Sequence, residues 1–280
     1  MQVIRHAKFK TQALSCNELE AGTGTPLTPH PTIDVSRVPL DAIAGLREEY
    51  RREMDCQIVH DCWHARGFTH SYLFRLAGDV VGYGSVGGVP PGPKAIVKEF
   101  FVLPRHRAAA LPLFRLLVAV SAAKTIEAQT NDVLLSLMLY DCASDLASDT
   151  ILFSDAVTTS HKAPGVKVRP LTDADRASVF RHTVEPIGDW GLESDHEVVA
   201  TGGVFFHYNP PYGDVYMEVA EPFRRRGFGT YLVQELKRIC RETGHVPAAR
   251  CGTDNLASRS TLQRAGMFPC GRIVRGRIAV

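Results

Sequence analysis

Residues 220–242, AEPFRRRGFGTYLVQELKRICRE, constrain the chain more than any other stretch. They follow an apolar run (215–219), pass three arginines and two glycines, and turn directly into an amphipathic helix. Arg224, Gly227 and Gly229 have the spacing Arg-x-x-Gly-x-Gly. Glycines let the backbone curl until consecutive N–H groups point into one concavity. The helix that follows adds unpaired donors and a positive dipole end. Such a concavity suits a pyrophosphate, and Arg224, Arg225 and Arg226 add charge for further phosphate oxygens. Two other phosphate motifs fail here. A P-loop requires a lysine that does not follow Gly229, and a dinucleotide fingerprint requires a glycine where Leu232 stands.

What remains resembles the acyl-CoA-binding motif of the GNAT superfamily of N-acetyltransferases. Val219 matches the valine that ends the family's fourth strand. Asn255, Ser258 and Gly266 with Met267-Phe268 resemble the second motif, an asparagine opening a short helix that closes at Gly-Phe. The resemblance implies an α/β (α+β) fold whose mixed, mostly antiparallel twisted sheet is flanked by helices. It also implies acetyl-CoA as co-substrate, held by Met217, Val219, Arg224, Arg225, Arg226, Gly227, Phe228, Gly229, Thr230, Asn255 and Ser258. The fourth and fifth strands (214–220 and 246–251) are expected to splay around the pantetheine arm, with main chain near 217–219 meeting the thioester carbonyl. A primary amine, of a small molecule rather than a protein tail, then attacks directly in a ternary complex.

The amine needs a base. Glu218 and Asp214 lie on the strand beside the thioester and, by alternation, share one face with Tyr216 and Ala220. Glu218 is the preferred base; a strand carboxylate that merely pairs with a basic neighbour is the competing reading. Many family members carry a tyrosine in the second-motif helix to protonate the leaving thiolate. Leu262 stands there, leaving Ser258, Ser260, Tyr231 or unaided departure. Arg250 occupies a place where some relatives carry a catalytic glutamate. The resemblance implies that the aromatic, Pro-stiffened loop 205–212, with His207, Tyr208 and Tyr212, borders the acceptor pocket; packing of that loop against the other domain is the equal alternative. The lost tyrosine also motivates an alternative from another class, a CoA-binding sensor or scaffold without turnover.

The 280 residues, 45% of them hydrophobic, suffice for one large or two medium cores. A net charge of +2 gives no global pull towards nucleic acid, so the arginines are a local feature. Seven cysteines without paired spacing point to free thiols in a reducing, cytoplasmic setting. No apolar run has signal-peptide or membrane-spanning length.

The order of elements occurs twice. After a Gly/Pro-rich extension (1–31), a strand near 33–35 leads to helices through Tyr50 and over 55–64. Strands follow at 71–76, 80–86 and 97–103, then a helix over 111–128, a buried strand at 133–140, a polar patch and a strand at 151–157. Beyond a linker at 161–165 the sequence predicts a strand at 166–169 and a Thr172-capped helix over 173–184. Strands at 190–193, 198–206 and 215–219, the helix 230–243, a strand at 246–251, the helix 257–265 and a final strand or hairpin at 271–280 complete it. Two tandem GNAT-like units, 32–160 and 166–280, are therefore expected. In the first, Ala110 stands where Gly227 stands and Pro112 where Gly229 stands, which penalises a left-handed turn and removes an N–H. That unit reads as degenerate for CoA. Cys56, His60 and His64, at four-residue steps, are compatible with a metal, but their spacing is no familiar zinc pattern and a packed polar face or part of the substrate cleft is preferred.

Overall fold

The computed structural model describes residues 32–54 and 57–279; the expected extension and Cys56 lie outside the described residues. The first half runs β1 (Ile33–Val38), α1 (Ala44–Glu53), α2 (Asp61–Ala65), β2 (Thr69–Leu76), β3 (Asp79–Gly87) and β4 (Ile96–Val102). It continues through α3 (Ala110–Ser121), β5 (Thr125–Gln129), α4 (Val133–Cys142) and β6 (Ala143–Asp155). The second half begins with β7 (Val166–Pro170), α5 (Asp173–Ser178), β8 (Trp190–Ser194), β9 (Glu197–Phe205) and β10 (Tyr212–Val219). It ends with α6 (Phe228–Glu242), β11 (Val246–Gly252), α7 (Leu256–Arg264) and β12 (Met267–Ile278).

All twelve strands join one sheet in the order β1-β2-β3-β4-β5-β12-β6-β11-β10-β9-β8-β7. The halves therefore exchange their last strands. β12 lies beside β5 of the first half, with Ile273 opposite Gln129, and β6 lies beside β11 of the second, with Phe153 opposite Ala249. The cores record the exchange: Val274 and Ile278 are buried with the first-half residues, Ile151 and Phe153 with the second-half ones. Only β4–β5 and β10–β11 are parallel, and both pairings are short. The first stops after Val97–Ile126 and the second after Asp214–Ala248, so each half has a split beside its fourth strand.

Several local expectations differ from the structure. Residues 133–140 form helix α4, not a strand; the run is rich in Leu and Met, strong helix formers, and Asp132 caps it by accepting the Leu135 N–H at 3.1 Å. The run is apolar on both sides, since Leu134, Leu135, Met138 and Leu139 face the core while Val133, Leu137 and Tyr140 are exposed. Periodicity cannot separate such a helix from a central strand. The helix expected over 111–128 stops at Ser121, because Ala122 takes a left-handed conformation (φ 54°) and 125–129 is drawn into the sheet as β5. The polar patch at 141–149 is divided: 141–142 end α4 and 143–149 belong to β6, where carboxylates meet arginines of β12, Asp149 with Arg275 at 2.8 Å and Asp145 with Arg277. The helix expected over 55–64 is the short α2, and that over 173–184 ends at Ser178.

A polypeptide beginning at residue 161 lacks β6 and leaves the apolar edge of β11 unpaired. It should aggregate on size-exclusion chromatography more readily than one beginning at residue 143, which keeps the β6–β11 pairing.

Candidate active site

The arginine-glycine loop adopts a curled conformation for two local reasons. Arg225 (φ 66°) and Gly227 (φ 84°) are left-handed, so the main chain reverses its N–H directions within three residues. The first helical bond of α6 runs from Tyr231 N to Gly227 O at 3.0 Å, which leaves the N–H groups of Phe228, Gly229 and Thr230 without intrahelical acceptors. Gly229 is needed for closeness rather than for φ. A Cβ there would lie 3.2 Å from Met217 Cε, 3.3 Å from Thr261 Cγ2 and 3.4 Å from Val219 Cγ2. Arg224, Arg225 and Arg226 are exposed, and among the described residues none pairs with a carboxylate. Arg224 Nε donates to Val219 O at 3.1 Å, and Arg226 Nη2 to Pro222 O at 3.2 Å.

Behind the loop, the β10–β11 split opens into a cleft of about 520 Å³, counted with its open mouth. Asp214, Tyr216 and Met217 of β10, Arg250 of β11, Ser258 and Leu262 of α7, and Glu185 line it. Phe205 and Tyr216 stack at 4.1 Å to form an aromatic wall. Buried Asp214 sits between two bases, 3.4 Å from His207 Nε2 and 3.4 Å from Arg250 Nε.

Glu218 of β10 and Glu185 of the cleft lining have opposite environments. Glu218 accepts from Thr183 N (3.0 Å), Thr183 Oγ1 (2.9 Å), Val184 N (3.1 Å) and Glu185 N (3.0 Å). Burial raises its pKa, but these donors outweigh burial and hold it below the ordinary glutamate value. Both oxygens are engaged in pinning residues 183–185 over β10, which is why the helix expected there ends early. Glu185, delivered to the cleft by that pinning, is shifted the other way. Burial raises its pKa, and the charges of Asp214 and Glu218 add to the effect against Arg250.

Of the other residues expected at the site, Val219 packs against the loop and Thr230 is buried at the first turn of α6. Phe228 packs against the second core. Asn255 Oδ1 caps α7, accepting the Ser258 N–H at 3.0 Å. Tyr208 is buried beneath Arg250, whose guanidinium carbon lies 5.8 Å from its ring centre; burial and nearby Asp214 push its pKa well above the usual tyrosine value. Tyr212 lies at the closed end of the split, paired in register with Val246, and is not part of the cleft lining. Glu185 was missed from sequence because it sits one residue beyond a mistaken helix, and no spacing connects it with β10.

The first half carries the same elements with different chemistry. Arg107 Nε donates to Val102 O at 3.2 Å, the counterpart of Arg224 and Val219, which fixes the correspondence. Its loop is a tight 3₁₀ turn over Pro104–Ala109, Ala110 is ordinary right-handed backbone (φ −59°), and Arg107 pairs with Glu53. His64 is engaged by Glu99 at 3.2 Å and Thr69 at 2.7 Å. His60 precedes α2, and burial lowers its pKa to about 4.

Comparison with known proteins follows this geometry. Residues 156–267 match the profile of the Acetyltransferase (GNAT) family. That stretch of the C-terminal half is therefore similar to a GNAT acetyltransferase domain. None of the curated proteins compared with the chain matches it. Among solved structures, an acetyltransferase of the GNAT family from Colwellia psychrerythraea superposes with a TM-score of 0.70 at 15% identity, over 88% of this chain and 100% of that one. A tandem GNAT protein from the clavulanic acid biosynthesis pathway gives 0.57 at 13% identity, over 89% and 99%. A GCN5-related N-acetyltransferase from Sphaerobacter thermophilus gives 0.52 at 16% identity, over 91% and 98%. At these identities the likeness concerns the fold, which is that of two GNAT units in tandem. Among the described residues no helix is long and apolar enough to cross a membrane.

Because its folded pKa is depressed, Glu218 contributes stability that is fully present above its unfolded value and lost as pH falls through the folded value. Glu218→Gln should therefore lower stability by about 2 kcal/mol at neutral pH. In thermal melts across a pH series, the gap from the parent should close as the solution is acidified below the ordinary glutamate range.

Proposed function

We propose that this chain is an acetyl-CoA-dependent N-acetyltransferase whose C-terminal unit transfers an acetyl group to a primary amine of a small molecule. The observation that carries this reading is the curled loop at 225–230, with its free helix N–H groups and unpaired arginines at the mouth of the β10–β11 split. The fit to a diphosphate rests on those donors and on Gly229, whose missing Cβ lets the loop lie against Met217 and Val219. Arg224, Arg225, Arg226, Gly227, Phe228, Gly229 and Thr230 would hold the diphosphate, and the main chain of Met217 and Val219 the pantetheine arm. Asn255 supports this region by capping α7, and Ser258 lines the cleft. When bound, acetyl-CoA supplies the activated acetyl group.

The remaining chemistry belongs to the chain. Glu185 is the base that accepts the amine proton on its carboxylate, because a raised pKa suits proton uptake better than a depressed one. Asp214, flanked by His207 and Arg250, is the second acidic group and helps attract the cationic form of the amine. Glu218 positions Glu185 rather than taking the proton. The units are 32–160 and 166–280, joined at 161–165 and tied by the exchanged strands. The first unit is degenerate for CoA, as Ala110 and Pro112 indicate. A cytoplasmic setting is part of the proposal, supported by Cys62, Cys142, Cys240 and Cys251, which form no disulfide among the described residues. Neither nucleic acid nor membrane enters it.

One observation favours a second reading, a CoA-binding sensor without turnover: buried Leu262 lines the cleft where many relatives carry the tyrosine that protonates the thiolate. Thiol release from acetyl-CoA over a panel of amines separates the two, since CoA binding without release on any amine favours the sensor. Glu185→Gln should lower kcat by about 100-fold. The parent's activity should fall on acidification at a higher pH than an ordinary glutamate would give, and the variant should lose that limb. Gly229→Pro deletes one diphosphate donor in the first turn of α6, where proline is compatible with helical backbone, and its added carbons also press on Met217, Thr261 and Val219, so both effects weaken the cradle. Calorimetry should show CoA affinity reduced at least about tenfold with the circular dichroism spectrum retained. Pro112→Gly should leave that affinity unchanged.

A further inference from the structure

We infer that Gln57, a residue of the first half, is a positioning residue for the acceptor side of the second half's cleft. The inference rests on the cleft being where the amine binds. Gln57 is buried between α1 and α2, far from the second half in sequence. Its carbonyl accepts the Asn209 N–H at 2.7 Å, so it supports the loop that joins β9 to β10. Its side-chain Nε2 donates to Phe153 O at 2.9 Å and lies 3.4 Å from Cys270 Sγ, tying it to both exchanged strands. Phe153 is opposite Ala249, one residue from the pair Leu152–Arg250.

The next residue is held from the other side. Gln129, at the end of β5, accepts the Ile58 N–H at 3.1 Å and donates to Ile58 O at 2.7 Å. A side-chain amide that both accepts from and donates to one main-chain residue fixes its position and its orientation. A continuous line of hydrogen bonds thus runs from Gln129 through Ile58 and Gln57 to Asn209. Asn209 and Tyr208 are buried, and Tyr208 lies under Arg250 and beside Asp214, both of which line the cleft. His207, in the same loop, is the other neighbour of Asp214. The loop that shapes the acceptor side is therefore supported by a segment crossing from the first half. The CoA loop at 225–230 has no part in this line, so disturbing it should separate the two substrates.

The test uses the full chain with Gln57→Ala and, independently, Gln129→Ala, which lies at the far end of that line and outside the cleft lining. Steady-state kinetics should show the KM for the amine raised about tenfold, the scale of one lost ordering hydrogen bond, with the KM for acetyl-CoA unchanged. Hydrogen–deuterium exchange should quicken in residues 205–212 and remain unchanged in 224–230. An unchanged KM for the amine in folded variants overturns the inference, and so does an equal loss for both substrates. A parent protein that turns over no amine refutes the proposed function instead. The exchange measurement then decides the brace: quickened exchange at 205–212 supports it, and unchanged exchange there overturns it.

Discussion

The antiparallel ladder between β6 and β12 is the contact on which the rest of the structure depends. It runs from Met267 opposite Asp155 to Ile278 opposite Ala143, with three irregularities along the way. Each strand leaves its own half to lie between its partner and the other half's fifth strand, so neither core is complete without the other. The far wall of the β10–β11 split, β11, is itself held by β6. The half without the arginine-glycine loop thus builds part of the half that has it.

Both halves have a parallel pair that stops after two or three residues, and each uses the resulting gap differently. In the first, buried Lys98 pairs with Glu127 and stacks 4.2 Å over the Trp63 ring, while Gln129 holds Ile58 in place. The charges there satisfy one another, and the cavity beside them is about 280 Å³, roughly half that of the second gap. In the second, Asp214 has long contacts to His207 and Arg250, and the gap remains open. The loops at the mouths follow suit. A left-handed Gly227 turns N–H groups outward, whereas right-handed Ala110 continues smoothly into α3.

Which parts of this were legible in sequence follows from where the information resides. Gly227 and Gly229 were readable because a left-handed turn and a close backbone approach each require glycine, a local demand with a local signature. The repeated order of elements was readable for the same reason. The ends of α3 and the helical state of 133–142 were not. Ala122 is left-handed without being glycine, and a run apolar on all sides has no period to read. Strand exchange was invisible because β6 and β12 keep the same alternation whichever half they join. Glu185 and Gln57 were missed because their positions depend on contacts made by other segments, Glu218 for one and Gln129 for the other.

The separation in sequence between β5 and β12 has a consequence for how the molecule is made. Residues 125–129 emerge early with one edge paired to β4 and the other bare, and that edge stays bare until 267–278 have left the ribosome. The sheet is thus closed at its middle last, by its most distant segment. Such ordering favours slow folding with a sticky nascent intermediate, and places chaperone demand on the early half of the chain rather than the late one.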